Sequence, residues 1–194
     1  MVEFTRRNPE PAELAAFRQA NPAARPKDFG SLAFLPVKLS IKQKLNEDQG
    51  GLCAYCESEL LPAAGQIDHV KSKSAHRHLT FVYDNYVHGC IHPEHCGQKK
   101  GGKKLHIEPG PVGCNDHFCL STNGSIKPLV TLTSKPRIIA GKTLNRLSLD
   151  HPDLRVEREK WVIAALKFLQ ISAEDFDAFI ADKPYRFILR RLIS

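Results

Sequence analysis

The chain has 194 residues, 42% of them hydrophobic, and its 28 Lys and Arg against 21 Asp and Glu give a formal charge of +7. That length and apolar share suit one ordinary domain with a real core and exclude wholesale disorder. No apolar run reaches the ~18 residues of a membrane span, and the opening MVEFTRRNPE lacks the apolar stretch of a signal peptide. The expectation is a soluble cytoplasmic protein with a polyanionic partner.

In chain order, EPAELAAFRQANP predicts a short amphipathic helix that Pro11 opens, with Leu14 and Phe17 on one face, ending before Pro22. Residues 21 to 36 read as an irregular connection rich in proline and small residues. LSIKQKLNEDQGG predicts a helix capped by Ser40, with Ile41 and Leu45 sharing a face and Gly50-Gly51 as its stop. From residue 51 to about 130, cysteine, histidine and glycine crowd together and helical periodicity is lost. A helix is predicted again from Asp150 or Pro152 to about residue 170, with Leu154, Trp161, Ala165 and Phe168 on one side and Arg155, Glu159 and Lys160 polar. Ser172 and Asp175 open SAEDFDAFI in the manner of a capping box, and KPYRFILRRLIS reads as a basic final helix. The organisation expected is a helical segment over 1–50, a central unit over 51–130 that carries the chemistry, and a helical segment over 131–194, packed as one compact body.

Six cysteines in a reducing compartment point to metal ligation or burial rather than to disulfides. In LCAYCE, Cys53 and Cys56 are separated by two residues, a spacing that lets two thiolates reach one zinc on a tight turn. Cys90 and Cys96 in HGCIHPEHCGQ would complete the tetrahedron, with His92 or His95 able to replace one of them. Between the pairs lies QIDHVKSK, whose Asp68 and His69 sit back to back in a predicted strand and so point to opposite faces. Lys71 and Lys73, together with Lys99, Lys100, Lys103 and Lys104 of GQKKGGKK, read as a basic patch able to contact phosphates. GQKKGGKK itself is no P-loop, because Lys104 stands where Ser or Thr would have to hold magnesium. Cys114, His117 and Cys119, with His106 upstream, are candidates for a second zinc site.

The order Cys53, Cys56, Asp68, His69, Asn85, Cys90, Cys96 and the following lysines resembles the HNH endonuclease superfamily over about 50 residues. The resemblance implies an α+β fold: a zinc-clipped ββα-metal, treble-clef-like core flanked by N- and C-terminal helices. It also implies His69 as general base toward a water attacking phosphorus, and Asp68 as ligand of magnesium or another divalent ion. Asn85 would hold the histidine-bearing loop. Many members place a His or Asn after the last zinc cysteine as second metal ligand; here Gly97 stands there, and Gln98 or His95 is expected to substitute. GLCAYCE, DHVKSKS, DNYVHGC, HCGQKKG and LNRLSLDHPDLRVERE further resemble the HNH proteins of retron and Septu anti-phage systems, although members commonly carry Glu at the position of Asp68. That narrower resemblance implies an effector nuclease acting beside an ABC-type ATPase on DNA first, with RNA, including tRNA, as the other target. The alternative is a non-catalytic zinc-stabilised module that binds nucleic acid or docks the ATPase.

Overall fold

The protein is described from a computed structural model that covers residues 1–6 and 9–193. It is α+β: among the described residues, helices at both ends enclose two small antiparallel sheets. Helix α1 (Ala12–Ala20) buries Leu14 and Phe17. Helix α2 (Leu35–Asp48) buries Val37, Ile41 and Leu45, a spacing of four that keeps them on one face. α2 starts at Leu35, so Ser40 lies inside it and caps nothing. Pro36 explains the earlier start: in the first turn its missing N–H is no loss and its fixed φ suits the helix. The stop is as expected, with Gly50 and Gly51 at φ 62° and 75° and the Gly51 amide closing on the Asn46 carbonyl at 2.9 Å. The connection before α2 winds into 3-10 turns at Pro26–Gly30 and Leu32–Phe34, which bury Phe29 and Phe34.

Strands β1 (Gln66–His69) and β2 (Tyr86–Gly89) pair antiparallel, with Asp68 opposite Val87 and His69 opposite Tyr86. Helix α3 (Cys96–Lys100) follows, then a second pair, β3 (Phe118–Leu120) and β4 (Ile126–Pro128). Helix α4 (Ser134–Leu147) falls inside the helical segment expected over 131–194, at a place where the pattern singles out no individual helix; Pro136 and Gly141 look like breakers, yet Pro136 falls in the tolerant first turn, and Ala140, Thr143, Leu144 and Leu147 form a buried stripe. Helix α5 (Pro152–Leu169) matches its expected limits. On it Arg158 is fully buried, donating from Nε to the Gly124 carbonyl at 2.7 Å and from Nη1 to that of Leu149 at 2.8 Å. Helix α6 (Phe176–Ile180) begins later than the capping-box reading implies: Ser172 Oγ bonds Asp175 Oδ2 at 2.7 Å in a turn ahead of it. The chain ends in a short helix α7 (Arg186–Leu189) and a 3-10 turn. Among the described residues no helix is long and apolar enough to cross a membrane.

Two apolar cores result. Leu14, Phe17, Phe29, Phe34, Val37, Ile41 and Leu45 pack with Phe81, Tyr83 and Tyr86. The other core joins Cys53–Cys56 and Val87 to Phe118, Leu144, Leu147, Leu154, Val162, Phe176 and Ile180. The β1–β2 hairpin is the seam between them. Strand alternation sends His69 and Tyr86 to the first core, and Asp68 and Val87 to the second.

Candidate active site and metal centre

Cys53, Cys56, Cys90 and Cys96 bring their sulfurs within 4.8 Å of one another. The Cys53–Cys96 and Cys56–Cys90 Sγ separations are both 3.9 Å, and all the cysteines are free. Zinc–sulfur bonds of ~2.3 Å in a tetrahedron place sulfurs ~3.8 Å apart, so the cluster has the dimensions of a zinc site and not of a disulfide. Burial opposes ionising Cys53, but hydrogen bonds from Cys56, Cys90 and Cys96 outweigh it and pull that thiol well down. Burial and hydrogen bonding to Cys53 push Cys96 up, and Cys90 rises chiefly through its bonds to Cys53 and Cys56. Buried together, these thiols can all ionise only around a dication.

His95 stands with the thiols: its Nδ1 is 3.2 Å from Cys96 Sγ and 3.9 Å from Cys90 Sγ, and its ring stacks on His92 at 3.9 Å. Among the described residues Cys114, His117, Cys119 and His106 form no second ligand group. Cys114 Sγ instead meets the Met1 carbonyl and Cys119 Sγ the Lys127 carbonyl.

Beside the thiol cluster, β1 presents Asp68. Its Oδ2 accepts from the Tyr55 hydroxyl at 2.5 Å and from the Lys100 ammonium at 2.9 Å. Tyr55 stays a donor because burial, then the Asp68 charge, push its hydroxyl well up. Lys100 is fully buried and also donates to the His69 carbonyl at 2.7 Å. It is therefore a fastening of the Asp68–His69 strand and not the exposed phosphate contact that the run of lysines suggests. Gly97 lies against this carboxylate: a Cβ there would stand 3.4 Å from Asp68 Oδ2 and 2.9 Å from Gln66 Nε2. The space of the absent side chain is thus taken by the Gln66 amide, which bonds Gln98 Nε2 through its Oε1 at 2.8 Å.

On the opposite face of β1, His69 is 7% exposed, edge-on to Phe29 at 4.6 Å and to Tyr86 at 5.0 Å. Its Nε2 lies 3.0 Å from the Thr80 carbonyl. A carbonyl can only accept, so neutral His69 carries its proton on Nε2 and keeps the lone pair on Nδ1. Burial lowers its pKa, the Thr80 carbonyl opposes that, and the charges of Lys73 and Lys100 lower it further. Asn85 ties the surrounding loop: Oδ1 accepts from the Lys71 amide at 2.8 Å, and Nδ2 donates to the carbonyls of Lys71 at 2.9 Å and Leu79 at 3.2 Å. Asn85 therefore grips the chain on both sides of the imidazole, two residues after His69 and one before Thr80.

Of the other lysines, Lys71 and Lys104 line a cleft of about 340 Å³ with Ser72, His76, His78 and Glu108. Lys73 is exposed above Phe29, Lys103 is exposed, and Lys99 faces Glu94 at 3.7 Å. Tyr55, Gln66 and Thr80 escaped the sequence reading. Tyr55 is legible only as the residue between two ligands, and Thr80 acts through its backbone, for which no side chain can signal.

No protein-family model matches the chain. Over 177 residues it is 34% identical, with 86% of each chain covered, to a protein of Vibrio cholerae serotype O1 biovar El Tor named "Retron Vc95 putative HNH endonuclease".

Proposed function

The chain belongs to the retron-type HNH endonucleases, and from that premise we propose that it hydrolyses phosphodiester bonds with His69 as general base and Asp68 as ligand of a divalent metal. The observation that carries the reading is the pairing of His69 Nε2 with the Thr80 carbonyl, which leaves Nδ1 as the proton acceptor. His69 Nδ1 takes a proton from the water that attacks phosphorus. Asn85 and the Thr80 carbonyl hold the imidazole so that little reorganisation is needed at the moment of reaction.

The donors near Asp68 fit a hard oxygen-loving ion such as magnesium: a carboxylate flanked by the amides of Gln66 and Gln98. Asp68 would hold the ion with help from an amide oxygen, Gln98 or Gln66, and such an ion supplies charge neutralisation at the phosphate and the departing oxygen. Tyr55 and Lys100 orient the carboxylate. The thiol tetrad would hold structural zinc, fastening α3 and the strand pair to the LCAYCE turn. Lys71 and Lys104 on the cleft beside the hairpin supply contacts to the strand backbone.

DNA is the substrate proposed first. The retron in the relative's name agrees with a retron-linked nuclease; the role of defence effector beside an ABC-type ATPase rests on the motif resemblance of GLCAYCE, DHVKSKS, DNYVHGC, HCGQKKG and LNRLSLDHPDLRVERE. The test incubates the purified chain, alone and with its ATPase partner, with plasmid and cellular RNA, with magnesium and with EDTA. Cleavage should need the metal, and His69→Ala should lower it by about 100-fold or more while zinc content and folding stay unchanged. Equal activity in His69→Ala, or none in any preparation, would sink the reading and leave a zinc-stabilised binding module.

A further inference from the structure

Two lysines from separate parts of the chain converge on one aromatic ring. Lys38, on α2, places its ammonium 4.8 Å from the centroid of Phe29, and Lys73, in the loop after β1, places its own at 5.0 Å. The same ring packs against His69 at a centroid separation of 4.6 Å. No acidic side chain pairs with either lysine among the described residues. Three other cations near the site do have such a partner: Lys100 has Asp68, Lys99 has Glu94 and Arg6 has Asp84.

Burial, then the charge of Lys73, pull Lys38 below the ordinary lysine range. The negative face of Phe29 offsets part of that repulsion, but an anion held by both ammoniums would offset far more. Lysine ammoniums are point charges without a preferred base edge, so they suit a phosphate oxygen and carry no sequence preference.

We propose that Lys38 and Lys73 form a clamp for a backbone phosphate of the bound strand, next to the one attacked at His69. The inference rests on His69 as the base; it adds the N-terminal helix α2 to the substrate cradle. Lys38 lies outside the cysteine-rich region, so no motif points to it. The cleft that Lys71 and Lys104 line begins at Val70, the residue after His69.

The test is made in a His69→Ala background, so that binding is read without cleavage. Fluorescence anisotropy of a labelled duplex is followed over a series of KCl concentrations for that protein and for added Lys38→Gln, Lys73→Gln and the pair. The double substitution should weaken binding about tenfold and lower the slope of log K against log salt by about one; Lys38→Arg with Lys73→Arg should keep both. An unchanged slope and affinity, with zinc content and melting intact, would overturn the clamp. So would lysine-dependent binding of inorganic phosphate with duplex affinity untouched, which would mark a free-anion site. The outcome is separable from that of the cleavage assay: His69-dependent cleavage with unaltered duplex binding removes only the clamp, whereas lysine-dependent binding without any cleavage removes only the nuclease.

Discussion

At the scale of single residues, the proposed chemistry turns on which nitrogen of His69 keeps its lone pair and at what pH. The Thr80 carbonyl settles the first point at 3.0 Å. Burial decides the second, with Lys73 and Lys100 acting in the same direction. A base must be unprotonated, and a lowered pKa empties the protonated form at a lower pH. The midpoint of the acid limb of kcat/KM is therefore expected below pH ~6.5, the ordinary histidine value. A pH–rate profile at fixed ionic strength checks this; a midpoint above the ordinary value would mean that Asp68 dominates the imidazole instead. Much of this residue set was visible beforehand, because Asp68, His69 and Asn85 carry their chemistry in their side chains. What stayed hidden was supplied by backbone or by burial: the Thr80 carbonyl, and Lys100, whose charge is spent inside the protein on Asp68. A run of four lysines cannot tell which of them folds inward.

At the scale of elements, the ligand-bearing pieces are too short to stand alone. α3 spans Cys96–Lys100 and each strand of the hairpin has four residues. Hairpins and single helical turns of that size are marginal without a cover or a clip. The thiol tetrad crosses between them, joining the Cys53–Cys56 turn to the end of β2 and the start of α3. Structural zinc contributes ~10–16 kcal/mol in small zinc-dependent peptides, as much as the ~5–15 kcal/mol that holds a whole domain together. Stripping the metal with a strong chelator is thus expected to unfold the cysteine-bearing region, not merely loosen it. Elemental analysis should find one zinc per chain, and thermal melting by circular dichroism should lose its cooperative step on chelation and regain it with zinc. An unchanged melt would assign the cysteines to packing alone. Element boundaries were less legible than the ligands for a reason of the same kind. Pro36 and Pro136 each sit in a first helical turn, where proline starts a helix instead of breaking it, so α2 lengthens and α4 appears. Ser40 could have capped a helix but is carried inside one, because Phe34, Val37 and Ile41 already fix the earlier turns by burial.

At the scale of the whole molecule, the two faces of β1 belong to two different cores, and so do the two halves of the proposed chemistry. His69 rests on the core built by α1, α2 and their 3-10 turns; Asp68 rests beside the thiol core, reached through Tyr55 and Lys100. Damage to each core should then fail in its own way. Phe34 is fully buried and touches Phe17, Phe29 and Phe81 at ring separations of 4.6 to 5.2 Å. Phe34→Leu should cost about 1 kcal/mol and shift Phe29, on which His69 leans; kcat should drop several-fold while zinc content holds. Leu154, 4% exposed, lies in the other core. Leu154→Ala should cost ~2–5 kcal/mol and speed zinc loss to a competing chelator, with the surviving folded fraction cleaving at close to the normal rate. Paired measurements of kcat and zinc release on the two variants decide the matter. If both properties fall together in both variants, the hairpin is not a seam, and a single cooperative core holds His69 and Asp68 alike.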